Sequence, residues 1–240
     1  MPARSPMPAT TRLTWAAAGW AAGFVASLAA TVVALLVLPS AGDSGATGQE
    51  LLEELSIVGL VALQVPLWLG LLGTPLLARR YGLDWRNQVR WRMRAIDVVV
   101  GTGIGLALQL VVVPLLYWPI FRIFGDLDVE GPARELSELA DTPLEVILLV
   151  VMTVLLAPLT EEVFFRGLLQ GALQDRLGPV WAVAIASVAF GITHFQLVQF
   201  PALVLVGVVN GLLVLRTGRL GPALWSHAAF NAITVAVLVS

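Results

Sequence analysis

Residues 144–169 read LEVILLVVMTVLLAPLTEEVFFRGLL, and this stretch decides the fold class. It is longer than the roughly 20 mostly apolar residues that an α-helix needs to cross a bilayer. Glu161, Glu162 and Arg166 stand near its end. Charged groups inside a membrane segment are costly, and by default they mark a functional site. The stretch therefore predicts a membrane helix with a polar site built into it.

The composition of the whole chain agrees with this prediction. Of its 240 residues, 58% are hydrophobic and 12% are charged, about half of the ~25% charged fraction of a soluble domain. Such a chain has too few polar groups to cover a water-exposed surface. This excludes a soluble enzyme, a disordered chain, a coiled coil and a nucleic-acid-binding protein. The chain has no Cys and no Lys, so a Cys nucleophile, a thiolate metal site and a catalytic lysine are excluded too.

The apolar runs along the chain predict an all-α polytopic membrane protein with about seven transmembrane helices. The runs do not alternate as the strands of a membrane barrel would. Thr142, Pro143 and Glu145 form a capping box with proline at the first position, which begins the fourth helix. We expect residues 1–142 to supply three N-terminal spans and residues 143–240 to form the catalytic bundle, as parts of one domain. The seven runs cover about residues 14–38, 55–78, 96–120, 144–173, 179–195, 200–215 and 221–239.

The arginines set the predicted orientation, because cytoplasmic loops carry an excess of positive charge. With seven spans, most arginines lie at one side of the membrane, which places the N-terminus in the cytoplasm of a plasma-membrane protein. The first apolar run is too long for a signal peptide, so we expect a retained anchor. The basic loop 79–94 indicates either ordinary positive-inside bias or contact with anionic lipid. The arginines at this side are Arg4, Arg12, Arg79, Arg80, Arg86, Arg90, Arg92, Arg94, Arg176, Arg216 and Arg219.

Helical spacing indicates what the polar residues of the C-terminal half can do. Glu162 and Arg166 are four apart and can pair on one face, while Glu161 points about 100° away and is left to face a cavity. His227 and Asn231 also share a face and would present a nitrogen and an amide towards one point. We expect Asn210, in the sixth run, to bond a neighbouring helix.

Two structural expectations concern the surroundings of this cluster. Pro158 should free the carbonyl of Val154 and kink the helix. Phe190, one turn before His194, should pack beside it. Counted along the helices, Glu161 and His194 lie roughly 20 and 22 Å deep but His227 only roughly 9 Å, so the spacing alone does not bring them together.

A Glu, two His and an Asn in one water-filled cavity suit hydrolysis of a carbonyl compound. A carboxylate with an imidazole can activate water, and a second His and an Asn can donate hydrogen bonds to the oxyanion. The same Glu and His residues could instead hold a divalent metal that activates the water. The residues alone leave both possibilities open.

Three motifs follow one another on successive predicted membrane helices: Glu-Glu-x-x-x-Arg at 161–166, Phe-x-x-x-His at 190–194 and His-x-x-x-Asn at 227–231. The segment RTGRLG at 216–221 precedes the last one. This order resembles the CAAX-protease and bacteriocin-processing family (CPBP, also called Abi), which includes the type II CAAX prenyl endopeptidases. The similarity extends over about residues 143–236. It implies an intramembrane endopeptidase with a cavity open to the cytoplasm.

The resemblance also implies roles for the matched residues. Glu161 and His194 would activate the water, and His227 and Asn231 would stabilise the oxyanion or complete a metal site. Glu162 and Arg166 match the second Glu and the Arg, and we interpret them as a structural ion pair. Both metalloprotease and metal-free glutamate mechanisms have been proposed for the family. The cofactor is therefore either a divalent metal such as Zn²⁺, held by Glu161, His194 and His227, or none.

The predicted function is peptide-bond hydrolysis in protein or peptide processing or in bacteriocin self-immunity. The alternative is a non-catalytic membrane scaffold or immunity partner that retains the protease fold. The expected partners are membrane lipid and a peptide or membrane-protein substrate, and not nucleic acid. The short chain, rich in Ala, Val and Leu and with Arg as its only strong cation, indicates a bacterial protein, for which a prenylated substrate is not expected.

Overall fold

The computed structural model describes residues 6–37, 56–125 and 127–238, which form eight helices and no strand. A short 3₁₀ turn, Arg79–Tyr81, extends the second helix, and the fourth helix is a short amphipathic one between two long helices. The helices are α1 Ala9–Val37, α2 Ile57–Ala78, α3 Ala95–Phe124, α4 Gly131–Glu138, α5 Pro143–Leu177, α6 Pro179–Ile192, α7 Phe200–Thr217 and α8 Gly221–Leu238.

The described parts of the seven predicted apolar runs are helical, apart from a few residues at run ends such as the turn at 193–195, so the chain is an all-α integral membrane protein. Within the described residues, five helices are long and apolar enough to cross a membrane: α1, α2, α3, α5 and α7. The other two predicted spans, α6 and α8, fall below this measure of length and hydropathy. Helix α6 has only 14 residues, and the polar Ser226, His227 and Asn231 lower the mean hydropathy of α8.

Helix α5 begins as the sequence predicts. The Thr142 hydroxyl accepts a hydrogen bond from the Glu145 amide, and the Glu145 carboxylate accepts one from the Thr142 amide. This capping box satisfies two amide groups that a helix start otherwise leaves without partners. Two π-helical segments, Val151–Leu156 and Glu162–Leu169, widen the helix on either side of Pro158. Such segments are rare and are frequently found at functional sites.

The N-terminal helices pack closely against the C-terminal ones. A Cβ added at Gly101 would lie 2.5 Å from the Pro222 carbonyl oxygen, and one at Gly105 would lie 2.1 Å from that of Ser226. Helices α3 and α8 thus touch through their backbones, a packing that small residues allow in membrane proteins. This contact fixes the start of α8, on which His227 stands.

We expect Gly105→Ala to destabilise the protein by about 1–3 kcal/mol, because the added methyl overlaps a backbone oxygen that cannot move away alone. Gly103→Ala is the matched control on the same helix, since nothing lies within 4 Å of the position of its added Cβ. The measurement is the thermal unfolding midpoint of each purified variant in detergent. Equal midpoints for the two variants would contradict the close packing of α3 on α8.

The two ends of the helix bundle differ in character. At the arginine-rich end, which comprises residues 79–94, 177–179 and 217–221, Arg219 binds Asp97 with Nε donating at 3.0 Å to Oδ2. The Leu220 amide donates to the Arg90 carbonyl at 3.0 Å, which ties the basic loop to the start of α8. The α4 end, which comprises residues 125–142 and 193–199, contains α4 and the connection from α6 to α7.

A packed apolar core lies directly beneath the arginine-rich end. Val89 of the basic loop is buried against side chains of α5, α7 and the start of α8, and nearly all of their surface is removed from contact with solvent or lipid. The members that close this end are Val89, Val163, Phe164, Phe165, Leu168, Val214, Leu220 and Ala223.

Candidate active site

The carboxylate of Glu162 is the centre of the buried polar cluster. One of its oxygens, Oε1, lies 3.2 Å from Arg166 Nη1, accepts a hydrogen bond from Asn210 Nδ2 at 3.1 Å, and lies 2.9 Å from His227 Nδ1. The predicted pairing of Glu162 with Arg166 is confirmed, as is the expectation that Asn210 bonds a neighbouring helix. The cluster joins α5, α7 and α8 at one point.

Arg166 is fully buried, and it is held by its charge rather than by hydrogen bonds. Neither Nη1 nor Nη2 has a hydrogen-bond partner within the described part of the chain. The guanidinium instead lies 4.4 Å from the centre of the Phe190 ring, a cation–π arrangement. Glu162 and the face of Phe190 together stabilise the buried positive charge.

His227 stands between the two glutamates. The imidazole Nδ1 faces Glu162, and Nε2 lies 3.7 Å from Glu161 Oε2. A carboxylate can only accept, so the hydrogen bond to Glu162 places a proton on Nδ1. The separation from Glu161 exceeds a direct hydrogen bond and is suited to a bridging water. The side chains of His227 and Glu161 are 6% and 14% exposed, and Glu161, unlike Glu162, lines the cavity.

His194 lies in the turn that follows α6 and is held there by Phe190, four residues before it. Its Nδ1 lies 2.8 Å from the Phe190 carbonyl oxygen, which can only accept, so Nδ1 donates and Nε2 keeps its lone pair in the neutral ring. The two rings meet edge to face at 4.7 Å, and the Phe190 ring also lies 5.6 Å from that of His227. The predicted packing of Phe190 beside His194 is confirmed, and Phe190 lies next to both histidines.

Asn231 donates a hydrogen bond to a backbone carbonyl that Pro158 leaves without a donor in α5. In the π-helical segment the Ala157 amide donates to the Met152 carbonyl, five residues back. The next donor would be Pro158, which has no N–H, so the carbonyl left free is that of Thr153. Asn231 Nδ2 donates to this oxygen at 2.8 Å. The expectation that Val154 would be freed was wrong because it assumed α-helical spacing.

Glu161, His194, His227 and Asn231 all line one cavity of about 490 Å³. Phe190 forms part of its inner end, and α4 with the loop before α7 forms its outer end. Counting along separate helices gave His227 a smaller depth than Glu161 and His194. The difference arises because α5 has 35 residues, more than the roughly 20 that a bilayer needs. The C-terminal end of α5 therefore extends past the start of α8. Sequence reasoning missed several wall residues: Gln109, Tyr117, Gln196 and Gln199.

The structure does not bring together the three metal ligands that the resemblance allowed. Within the residues that the structure describes, no three His, Asp or Glu side chains lie close enough to hold a metal ion together. Glu161, His194 and His227 share the cavity without forming a ligand set. Nδ1 of both histidines donates to an acceptor and leaves Nε2 open, an arrangement that ligating histidines also have. Because the three side chains do not come close enough together, we derive no chemical step through a metal.

Comparisons with known proteins identify the region that carries this cluster. Residues 143–233 match the family model of the Rce1-like type II CAAX prenyl endopeptidases. The match supports the resemblance of these residues to the CPBP family, and we call them the CPBP region. The CPBP region runs from the start of α5 into α8, and it contains Glu161, Glu162, His194, His227 and Asn231. Helix α3, which supplies Gln109 and Tyr117 to the cavity wall, lies outside it.

One curated relative is also similar to part of the chain. The Bacillus subtilis (strain 168) protein named "Putative membrane peptidase YdiL" is 32% identical over 111 residues, which is 45% of this chain and 45% of that protein. The chain thus matches less than half the length of this relative. No solved structure is significantly similar to the chain.

A pair of variants can separate the structural role of Asn231 in the CPBP region from a role in the reaction. Asn231→Leu should cost about 1–3 kcal/mol, because it leaves the Thr153 carbonyl without a donor. Adding Pro158→Ala supplies an N–H that can bond Thr153, so the double variant should regain most of that stability. If the amide also serves the reaction, peptide cleavage stays low in the double variant. Thermal unfolding and cleavage rates measure the two effects, and recovery of both would show that Asn231 acts only in packing.

Proposed function

We propose that this chain is an intramembrane endopeptidase that hydrolyses peptide bonds with a water activated by Glu161 and His194. The observation that carries the proposal is the arrangement of His227. Its ring is fixed through Nδ1 by a buried carboxylate, and its Nε2 faces a second carboxylate across a gap suited to one water. Groups fixed in this way before the substrate arrives are what electrostatic catalysis requires.

In the proposed reaction, a water beside Glu161 loses a proton to the carboxylate as its oxygen attacks the peptide carbonyl. His194 Nε2 accepts a hydrogen bond from the same water and orients its lone pair. The carbonyl π bond breaks, and its electrons become the oxyanion. The C–N bond then breaks, and the amine leaves with the proton held by Glu161, so that one water and one peptide give a carboxylic acid and an amine.

His227 and Asn231 act when the oxyanion forms. An amide nitrogen has two N–H groups, and Asn231 uses one of them on the Thr153 carbonyl, so the second is left for the oxyanion. The proton that Glu161 takes from the water passes to His227 Nε2, which donates it to the oxyanion and returns it to Glu161 before the amine leaves, while Glu162 stabilises the imidazolium through Nδ1. Glu162 and Arg166 are positioning residues in this scheme, because neither lines the cavity.

We also propose the cellular setting. Residues 143–240 form the catalytic bundle of one domain and residues 1–142 its N-terminal spans, embedded in plasma-membrane lipid with the N-terminus in the cytoplasm. The arginine bias supports this orientation. The substrate is a peptide or a membrane protein, and processing or self-immunity against a bacteriocin is the proposed role.

The test uses the purified full chain in detergent with peptide libraries, and product masses identify the cleaved bonds. We expect cleavage by the wild type and none by Glu161→Ala or His194→Ala. Equal cleavage by wild type and Glu161→Ala would contradict the proposed hydrolysis and favour a non-catalytic scaffold or immunity partner.

A further inference from the structure

The cavity occupies only one half of the helix bundle. The membrane helices that line it contribute residues from about their middle to the α4 end, and on α8 the wall begins one turn before the middle, at His227. Helices α3, α6 and α8 begin at the arginine-rich end and contribute from Gln109, Phe190 and His227 onward, whereas α5 and α7 run the other way and contribute up to Glu161 and Val206. The cavity therefore extends from the catalytic cluster to the α4 end.

The opposite route is closed. Between the cluster and the arginine-rich end lies the packed core that includes Val89, Phe165 and Leu220, each at most 2% exposed. A Cβ on Gly167 would lie 2.7 Å from a Val89 side-chain carbon, so the basic loop is in direct contact with α5. No peptide can pass through a core packed this closely.

Distances along α8 show how far a substrate must reach. His227 lies about 9 Å from the start of α8 at the arginine-rich end and about 17 Å from its other end. Because α5 extends past the start of α8, the arginine-rich end of the bundle lies further from His227 than this 9 Å, and the packed core blocks that route. A substrate must follow the open route of about 17 Å, along a wall that contains the apolar Val113, Pro114 and Leu136 together with Tyr117 and Gln199.

From this geometry we infer that the substrate is an extended, apolar peptide segment that enters from the extracytoplasmic face. The inference rests on the proposed function and on the orientation that places the arginine-rich end in the cytoplasm. The resemblance implied a cavity open to the cytoplasm, and the structure shows that such a cavity and the arginine-based orientation are incompatible in this chain. Peptides presented on the cytoplasmic side are not substrates.

Because the chain has no Cys, single cysteines can report access without background. A maleimide reacts with the thiolate, which forms in water and not in lipid. The three single variants are Thr234→Cys in the cavity wall, Arg86→Cys at the arginine-rich end and Leu115→Cys, which is 66% exposed on the outside of α3. Each full chain is expressed in bacterial spheroplasts and treated with a membrane-impermeant maleimide, before and after permeabilisation.

We expect Thr234→Cys to be labelled in intact spheroplasts, Arg86→Cys only after permeabilisation, and Leu115→Cys in neither case. Labelling of Thr234→Cys and Arg86→Cys from the same side would overturn the inference. So would a Thr234→Cys that is labelled only after permeabilisation or not at all.

Cleavage is the second readout and separates this inference from the proposed function. In Thr234→Cys, labelling should reduce peptide cleavage at least tenfold relative to the same variant unlabelled. In Glu135→Cys, on the exposed side of α4, labelling should change it less than twofold. If no variant and no wild-type protein cleaves a peptide, the proposed function fails while the labelling still decides the direction of access. Cleavage that survives full labelling of Thr234→Cys would overturn the proposed route.

Discussion

The Glu161→Gln variant is expected to fold normally and to cleave peptide about 10²–10⁴-fold more slowly than the wild type, the range that one general base supplies. The amide keeps the shape of the side chain but cannot take a proton from water. Glu161 Oε2 lies 3.7 Å from His227 Nε2, beyond hydrogen-bond distance, so we expect a smaller loss of stability than at the buried pair of Glu162 and Arg166. The measurement is the single-turnover cleavage rate of the purified protein, together with its unfolding midpoint.

Glu138→Gln provides the control for Glu161→Gln. Glu138 lies on α4, is exposed and does not line the cavity, so the same change of charge there should leave the rate within a factor of two. An active Glu161→Gln would remove Glu161 from the reaction. Equal losses in both variants would point to a general effect of net charge.

Arg166→Met is expected to have the largest effect on stability, a loss of about 3–5 kcal/mol, because it leaves a buried carboxylate without its cation. Glu162 is 1% exposed, and its Oε2 has no hydrogen-bond partner among the described residues, so the carboxylate has no access to water. The variant should unfold at a much lower temperature in detergent or fail to accumulate in the membrane.

A double variant keeps this prediction testable if Arg166→Met does not fold. Glu162→Gln with Arg166→Met removes both charges and should recover most of the lost stability, as replacement of whole buried pairs often does. It should not recover full activity, since His227 Nδ1 would then face a neutral amide. A double variant as unstable as Arg166→Met would show that the packing of Arg166 on Phe190 matters more than the charge pair.

The helices were predictable because membrane segments carry a strong local signal. The run of apolar residues and the capping box at Thr142 placed the start of α5 at the residue where the structure begins it. The pairing of Glu162 with Arg166 followed from spacing on one helix in the same way. Such features depend on residues a few positions apart, and a single sequence contains all the information that they need.

The arrangement of the cluster was not predictable because it depends on contacts between helices. That Glu162 also binds His227 and Asn210 follows from how α7 and α8 meet α5, and depth counting along separate helices placed His227 too far away. The freed carbonyl was shifted from Val154 to Thr153 by π-helical hydrogen bonds, for which the sequence has no clear signal. The side on which the cavity opens also required the structure, since it is set by where Val89 and its neighbours pack.

The position of Arg166 on the same helix as Glu162 has a consequence for biogenesis. His227 follows Glu162 by 65 residues, so α5 is synthesised well before the histidine that completes its cluster. An isolated charge in a nascent membrane helix is costly, but here the neighbouring cation of the same helix offsets the carboxylate from the moment of insertion. Helix α5 can therefore enter the bilayer and remain there while translation continues and α8 is still to come.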